Sequence, residues 1–386
     1  MPFNRCLTAI GTLLLSVAAS AQVRPGQSEL PDWPLSNAPL LSLGGDSTPA
    51  TEFLRIRQVF RLPAGLIAVV NGGSNEIRIF NLQGLPVRTF GRTGSGPGEF
   101  RSMGWSGRSG DTAFVYDPGL RRISILLLSR EPRLLKSLGM VARGTRGQFF
   151  VAGRLEDGRW LVQTAGTFSW EGPPGVHRIP GSAGVINTEA TGHVTWLAEL
   201  PSLAVFVHNP TGDIRQAQVG PIAFSPAFHS VVSGPYLWFG ESGSDSLVRY
   251  DSRDGKRATL QLPFSPAAPS AALVAATRNR ELAVARDARS RAWTDAKLSS
   301  AYLPSTLPFF ESAVPGPRGE LWIQGYSGTR TAESRYLVVG SDLRPRAWVH
   351  VPRGFRVQEV GLEYVVGVHE DEDGVESVRL YGLSRR

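Results

Sequence analysis

A scheme of four short strands that returns about 46 residues later constrains this chain more than any other feature. Residues 53–60 alternate apolar and polar, turn at Pro63, Ala64 and Gly65, resume at 66–70, turn at Gly72 and Gly73, and continue through 76–80 and 86–90. The same order recurs in 100–105, 112–116, 122–128 and 133–138, with Ile123 standing to Ile77 as Leu126 stands to Phe80. A single such unit has an apolar face that it cannot bury alone, so units must stack on one another. The spacing matches a four-stranded propeller blade.

Later units keep the scheme. A third begins at 148–152 and continues at 160–163, but beyond Gly166 the spacing loosens. The strand-like pieces 177–179, 194–197 and 203–207 fit one blade or one and a half. A fourth unit runs through 228–232, 236–240, 246–250 and 258–262, and a fifth through 309–313, 319–323, 335–339 and 347–351. The last has 355–360, 364–368 and 377–381 and then stops one strand short. An isolated apolar strand near the start, 39–43, supplies the missing one, so that both termini build one blade and no edge stays exposed. The expected fold is all-β, a six-bladed β-propeller over 38–386. Residues 270–300 break the pattern: they are rich in Ala, Pro269 suits a first helical turn, and a helical insertion over about 269–300 is expected. Leu282, Val284 and Trp293 are expected to seat it on one face of the ring, and Arg278, Arg280, Arg286, Arg289 and Arg291 to give it a basic surface suited to an anionic partner.

Between the first two units lies a stretch, 88–100, holding Gly91, Gly94, Gly96 and Gly98 beside Pro97. Four glycines invite a phosphate-loop reading, but Pro97 stands where that loop needs Lys followed by Ser or Thr, and no helix pattern follows. The stretch reads as the crossing from one blade to the next. Together with Val115, Tyr116, Asp117, Pro118, Gly119, Leu120, Arg121, Arg122, Ile123, Ser124 and Ile125, it resembles the NHL-type repeat and the related six-bladed propellers of exported bacterial proteins. The family's Asp and Arg fall on Asp117 and Arg122, while its Asn falls on Leu120; the first unit has Asn71, Ser74 and Glu76 instead. The resemblance implies a fold and carries over no catalytic residue.

The N-terminus has Arg5, an apolar run through Ala19, and a small-x-small site ending at Ala21, so 1–21 is expected to be a signal peptide. The protein is then exported, periplasmic or extracellular, with no transmembrane segment expected. Residues 22–37 read as a flexible lead-in carrying Pro25, Pro31 and Pro34. Cys6, the single cysteine, lies in the leader, which leaves no thiol chemistry for the mature chain. The formal charge of +8 becomes +7 without Arg5. The basic residues are scattered, and no clustered run calls for nucleic acid.

Candidate sites follow from turn-proximal charge and from loops. Glu99, Arg101, Asp117, Arg122 and Glu241 lie near turns, and Tyr326 and Arg335 bracket a longer loop, 327–334. The acidic run from His369 to Gly374 has oxygen-ligand character but lacks the spacing of a calcium loop, and a solvated turn is expected. The six histidines are dispersed; no metal and no cofactor are expected. Two functions fit: a binding or scaffolding propeller engaging a protein, peptide or glycan through its loops and central channel, or a propeller enzyme, lactonase- or lyase-like, with a site in that channel.

Overall fold

Each strand-length apolar run becomes a strand because its inward positions find a second sheet to pack on. The computed structural model describes residues 22–23, 30–45, 48–141, 148–165, 175–187, 192–209, 211–213, 215, 217–328 and 333–386; the expected leader lies outside them. Two short strands come first, β1 (Gln22–Val23) and β2 (Leu41–Leu43). The first sheet is a meander of β3 (Ile56–Leu62), β4 (Leu66–Asn71), β5 (Glu76–Asn81) and β6 (Pro86–Phe90). The second holds β7 (Ser106–Ser109), β8 (Thr112–Asp117), β9 (Arg122–Leu127) and β10 (Arg133–Gly139). The third has five strands: β11 (Gln148–Arg154), β12 (Trp160–Ala165), β13 (Gly175–Ile186), β14 (Val194–His208) and β15 (Gln218–Pro221). In the fourth are β16 (Phe228–Ser233), β17 (Tyr236–Glu241), β18 (Ser246–Asp251) and β19 (Arg257–Gln261); β20 (Phe264–Ser265) follows and pairs with β1. After two helices, the fifth sheet is β21 (Phe310–Pro315), β22 (Leu321–Gly325), β23 (Ser334–Val339) and β24 (Pro345–Val351). The sixth combines β25 (Phe355–Val360), β26 (Tyr364–Glu370) and β27 (Glu376–Gly382) with β2.

The innermost strands meet in cyclic order: β3 touches β7, then come β11, β16, β21 and β25, and β25 returns to β3. Between sheets lies apolar packing at every join. Phe60, Val70 and Ile79 of the first sheet pack with Val115 and Leu126 of the second, and Phe114 and Tyr116 of the second with Val151 and Trp160 of the third. Leu161 and Val185 meet Leu237, Trp238 and Leu247 meet Leu321 and Ile323, and Trp322 and Val338 meet Phe355 and Val357. Val366 and Val378 close on Val59 and Val69 of the first sheet. The chain is a β-propeller, with its core distributed between sheets rather than gathered at one centre.

Closure uses both ends of the chain. Leu41 pairs with Leu380, Ser42 with Arg379 and Leu43 with Val378. Residues 30–37, expected as a flexible lead-in, are laced to the fifth and sixth sheets: Trp33 N donates to Trp348 O at 2.8 Å, Ser36 N to Gly382 O at 2.9 Å, and Ser384 N to Pro34 O at 3.0 Å. The prolines do not leave this segment loose, because Trp33 and Leu35 pack into the join between the last two sheets.

Two expectations change in detail. The inner strand of the second unit is 106–109 rather than 100–105; Gly107 removed the alternation that would have marked it, while Phe100 is a core residue just before it. The uncertain region beyond Gly166 forms one sheet. Its β13 and β14 are 12 and 15 residues long, with register shifts beside Pro180 and Gly184 that blur the period of two.

The insertion forms α1 (Ala271–Val284) and α2 (Ala288–Lys297). Ser270 caps the first by accepting from Leu273 N at 3.2 Å, and Asp287 begins the second by accepting from Ser290 N at 2.7 Å. Leu273 packs with Phe224 and Leu307, and Trp293 with Phe206 and Ile222. Val284 does not seat the helix as expected: it is 76% exposed at the end of α1.

Candidate functional site

An inner strand is the edge of its sheet and pairs on one side only, and a regular one sets each of its residues opposite one residue of the next strand. Four of the six inner strands depart from this by carrying one extra residue opposite a single partner. The extra residue is Arg57 on β3, Ala152 on β11, Glu311 on β21 and Gln358 on β25. A bulge frees that residue from pairing and re-aims its side chain. All four line one cavity of about 860 Å³, walled by β3, β7, β11, β16, β21 and β25 around the axis. The wall is rich in amide, hydroxyl and charge: Gln58, Gln324, Ser230 and Ser312 beside Arg154, Glu156 and Arg356.

Two networks hold this wall. At Glu311, Oε2 accepts from Ser327 Oγ at 3.3 Å and from Gln324 Nε2 at 3.4 Å. The Gln324 carbonyl in turn accepts from Ser312 Oγ at 2.8 Å and Tyr336 Oη at 3.0 Å, and Val357 N donates to that phenol oxygen at 3.3 Å. Burial pushes the Tyr336 phenol up, which keeps it a donor. Elsewhere Arg108 of β7 reaches past the first sheet to Glu359 of β25, Nε to Oε2 at 2.7 Å and Nη2 to Oε1 at 2.9 Å. Tyr364 Oη donates to Glu359 at 2.6 Å, its own pKa raised by burial and by that carboxylate, and the Arg61 guanidinium lies 4.5 Å from the Tyr364 ring centroid. The pair is 21% and 14% exposed, so water screens it only in part. Glu359→Ala is expected to cost about 2 kcal/mol, since it leaves Arg108 half-buried without its partner. Urea denaturation checks this, and a midpoint unchanged from wild type would show that the pair does not brace the ring.

The residues singled out by sequence lie away from this cavity. Four of them form a single knot at the crossing from the first sheet to the second. Asp117, fully buried, accepts from Arg101 N at 2.7 Å, Ser102 N at 3.3 Å and Leu120 N at 3.0 Å. Arg122 donates to Ser95 O at 3.1 Å and Gly96 O at 2.7 Å, and Arg101 Nε to Ser95 Oγ at 3.0 Å. Glu99 accepts from Gly96 N and Arg92 Nε, both at 2.8 Å, and these bonds hold its pKa below the usual carboxylate range. Glu241 pairs with Arg178 at 2.9 Å, and the Arg335 guanidinium stacks 4.5 Å from the Trp348 ring. Tyr326 lines a second cavity of about 630 Å³ between the end of α1 and the turn at 370–374; Glu311 lines both cavities. Burial, with Glu311 adding to it, pushes the Tyr326 phenol up to about 12. The loop at 327–334 is described only at its two ends.

Alternation scoring missed Arg57, Glu311 and Gln358. A signal was present: two consecutive polar residues inside an apolar strand, Arg57 with Gln58, Glu311 with Ser312, Gln358 with Glu359. Ala152 left no such trace. At the acidic run, Asp371 Oδ1 accepts from Asp373 N at 3.0 Å and Val375 N at 2.8 Å, as a hairpin turn requires. Among the described residues no three His, Cys, Asp or Glu side chains are grouped as metal ligands, and no helix is long and apolar enough to cross a membrane.

No family model matches the chain, and no curated protein does. Solved structures that it is similar to include a Bacteroides fragilis protein described as exported, at 12% identity, covering 90% of this chain and 94% of that one with a TM-score of 0.49. A member of the DUF4221 family from Bacteroides vulgatus gives 11%, 90%, 97% and 0.49 in the same order. For regucalcin, a calcium-binding protein from Agrobacterium tumefaciens, the figures are 12%, 92%, 97% and 0.40.

Proposed function

We propose that the protein is an exported, six-bladed β-propeller that binds a protein, peptide or glycan chain at the mouth of its axial channel. One observation carries the reading: bulges on four inner strands turn their extra residues into the same cavity of about 860 Å³. A bulge sacrifices ladder hydrogen bonds, and a ring built for closure alone has no use for four of them around one opening. The wall offers amides and both signs of charge, which suits a polar chain better than an apolar cofactor. The insertion supplies Arg280, Ala283 and Val284 to the adjoining cavity, so a chain leaving the channel would meet α1 and Tyr326 next. An enzyme reading needs carboxylates converging on the axis; of those lining the channel, Glu359 is taken up by Arg108 and Tyr364.

The test fills the channel. Gln358 projects from a bulge and is partly exposed, so a larger side chain there occupies space without displacing core. Gln358→Trp is expected to keep the thermal midpoint of wild type and to weaken capture on glycan and peptide arrays by about tenfold or more. Array binding identical to wild type in the folded variant would move the site away from the channel.

A further inference from the structure

One guanidinium in the channel wall keeps its hydrogen bonds unspent. Arg154, the last residue of β11, lies over the ring of Phe114, 4.6 Å from the centroid, and over that of Trp160 at 5.6 Å. A guanidinium stacked in this way spends its faces on the rings and leaves its in-plane N–H groups for a flat acceptor such as a carboxylate. Among the described residues none accepts a hydrogen bond from Arg154, and no carboxylate pairs with it. Asp157 is committed to Arg159, Oδ1 to its N at 3.0 Å and Oδ2 to its Nε at 2.8 Å. The other arginines of the wall differ: Arg108 has Glu359 and Arg356 has Glu376, while Arg57 is exposed, so that water serves its donors. Arg154 is half-buried and opens on the channel of about 860 Å³, so the acceptor that completes it has to come from that channel.

The rest of the wall says what should carry that acceptor. Trp105 lines the same channel, half-buried, its ring centroid 6.2 Å from that of Trp160, the ring that Arg154 also covers. Its indole takes the place of a side chain at Gly107, where a Cβ would fall 2.5 Å from the ring. Elsewhere Gln58, Ser230 and Ser312 give the wall neutral amides and hydroxyls. Guanidinium, indole face and neutral hydrogen-bonding groups together match an acidic sugar, whose ring offers C–H to an aromatic face and hydroxyls to amides. An extended peptide fits less well, because it would bind by adding a strand to an inner edge, and bulges interrupt four of those six edges. Resting on the channel reading above, we propose that the channel takes an acidic glycan, with a uronate carboxylate on Arg154 and a sugar face on Trp105.

Oligosaccharides of pectate, alginate and hyaluronan, each beside its carboxyl-reduced form, test this on the immobilised full chain by surface plasmon resonance, with hexaglutamate as the acidic peptide. At least one uronate is expected to bind about tenfold or more tightly than its reduced form and than hexaglutamate. Arg154→Gln should erase that preference while still binding the reduced form, which shows that the variant is folded. Arg154→Lys keeps the charge but not the fork and should keep only part of the preference. Trp105→Leu should weaken acidic and reduced forms by a similar factor. Equal binding of the two forms by wild type, binding of no uronate, or tighter binding of hexaglutamate overturns the proposal without any variant having to fold. A preference that survives Arg154→Gln overturns the assignment to Arg154, and unchanged binding by Trp105→Leu removes the indole from the site. If Gln358→Trp abolishes capture of an array ligand that shows no preference for a carboxylate, the acidic-glycan proposal falls and the channel reading stands.

Discussion

A chain lacking residues 1–45 is expected to aggregate on expression or, if recovered, to melt far below the intact protein. The deleted segment holds β2, whose Leu41 and Leu43 are 7% and 3% exposed in the cluster that also contains Val59, Val69, Val366 and Val378. It also holds Trp33 and Leu35, packed between the last two sheets, and the backbone bonds to Trp348 and Gly382. Each buried leucine contributes about 2 kcal/mol by burial alone. Two leucines, a tryptophan and the ladder therefore amount to a large share of the ~5–15 kcal/mol by which a folded domain exceeds its unfolded chain. Their removal also opens the edge of β27, a template for pairing with another copy. Leu43→Ala alone separates the two effects, with an expected cost of about 3 kcal/mol and no exposed edge. Thermal melts and light scattering read both. A truncated chain as stable and monodisperse as wild type would mean that the ring does not need its N-terminal strand.

How much was legible in the sequence depended on whether an element announced itself by period. Residues 66–70 and 321–323 are apolar throughout because their sheets are covered on both faces, and their strands follow directly. The missing strand of the last unit was legible for a different reason: 377–381 had no fourth partner and 39–43 had none at all, and an unpaired apolar edge is costly. The knot around Asp117 was visible as charge near a glycine-rich turn, but sequence alone could not say that its oxygens would be spent on the backbone N–H groups of Arg101, Ser102 and Leu120. The channel residues were hidden because a bulge is a defect in the very alternation used to find strands. Arg57 and Gln58 look like a lapse in pattern until β4 shows which of them pairs with Val70. The insertion declared its helices through Ala content, whereas its division at Asp287 came from a single capping side chain.

The acid side of the stability profile is expected to be set between pH 6.5 and about 4 mainly by one half-buried imidazole. His229 lies on β16 opposite Gly240, its ring 4.9 Å from that of Phe310, and burial pushes its pKa from 6.5 down to about 4. The unfolded chain accepts a proton on this residue at pH 6, where the folded chain refuses it. Stability that depends on a neutral His229 is therefore whole above pH 6.5 and drains away as pH falls toward 4, to a total of roughly 3 kcal/mol. His369 adds to the same limb, its pKa lowered by burial and by Arg379. Carboxylates act lower down: Asp251, whose hydrogen bond from Arg253 brings it to about 2, loses its contribution only as pH falls below the ordinary carboxylate range. The two windows are separable by mutation. His229→Gln removes the titrating group and should flatten the slope between pH 6.5 and 4, leaving the loss below pH 4 in place, whatever it does to the midpoint at pH 7. Urea midpoints taken at half-unit steps of pH measure the slope. A His229→Gln profile parallel to wild type through that range would show that the imidazole titrates normally in the folded chain and that another group sets the acid limb.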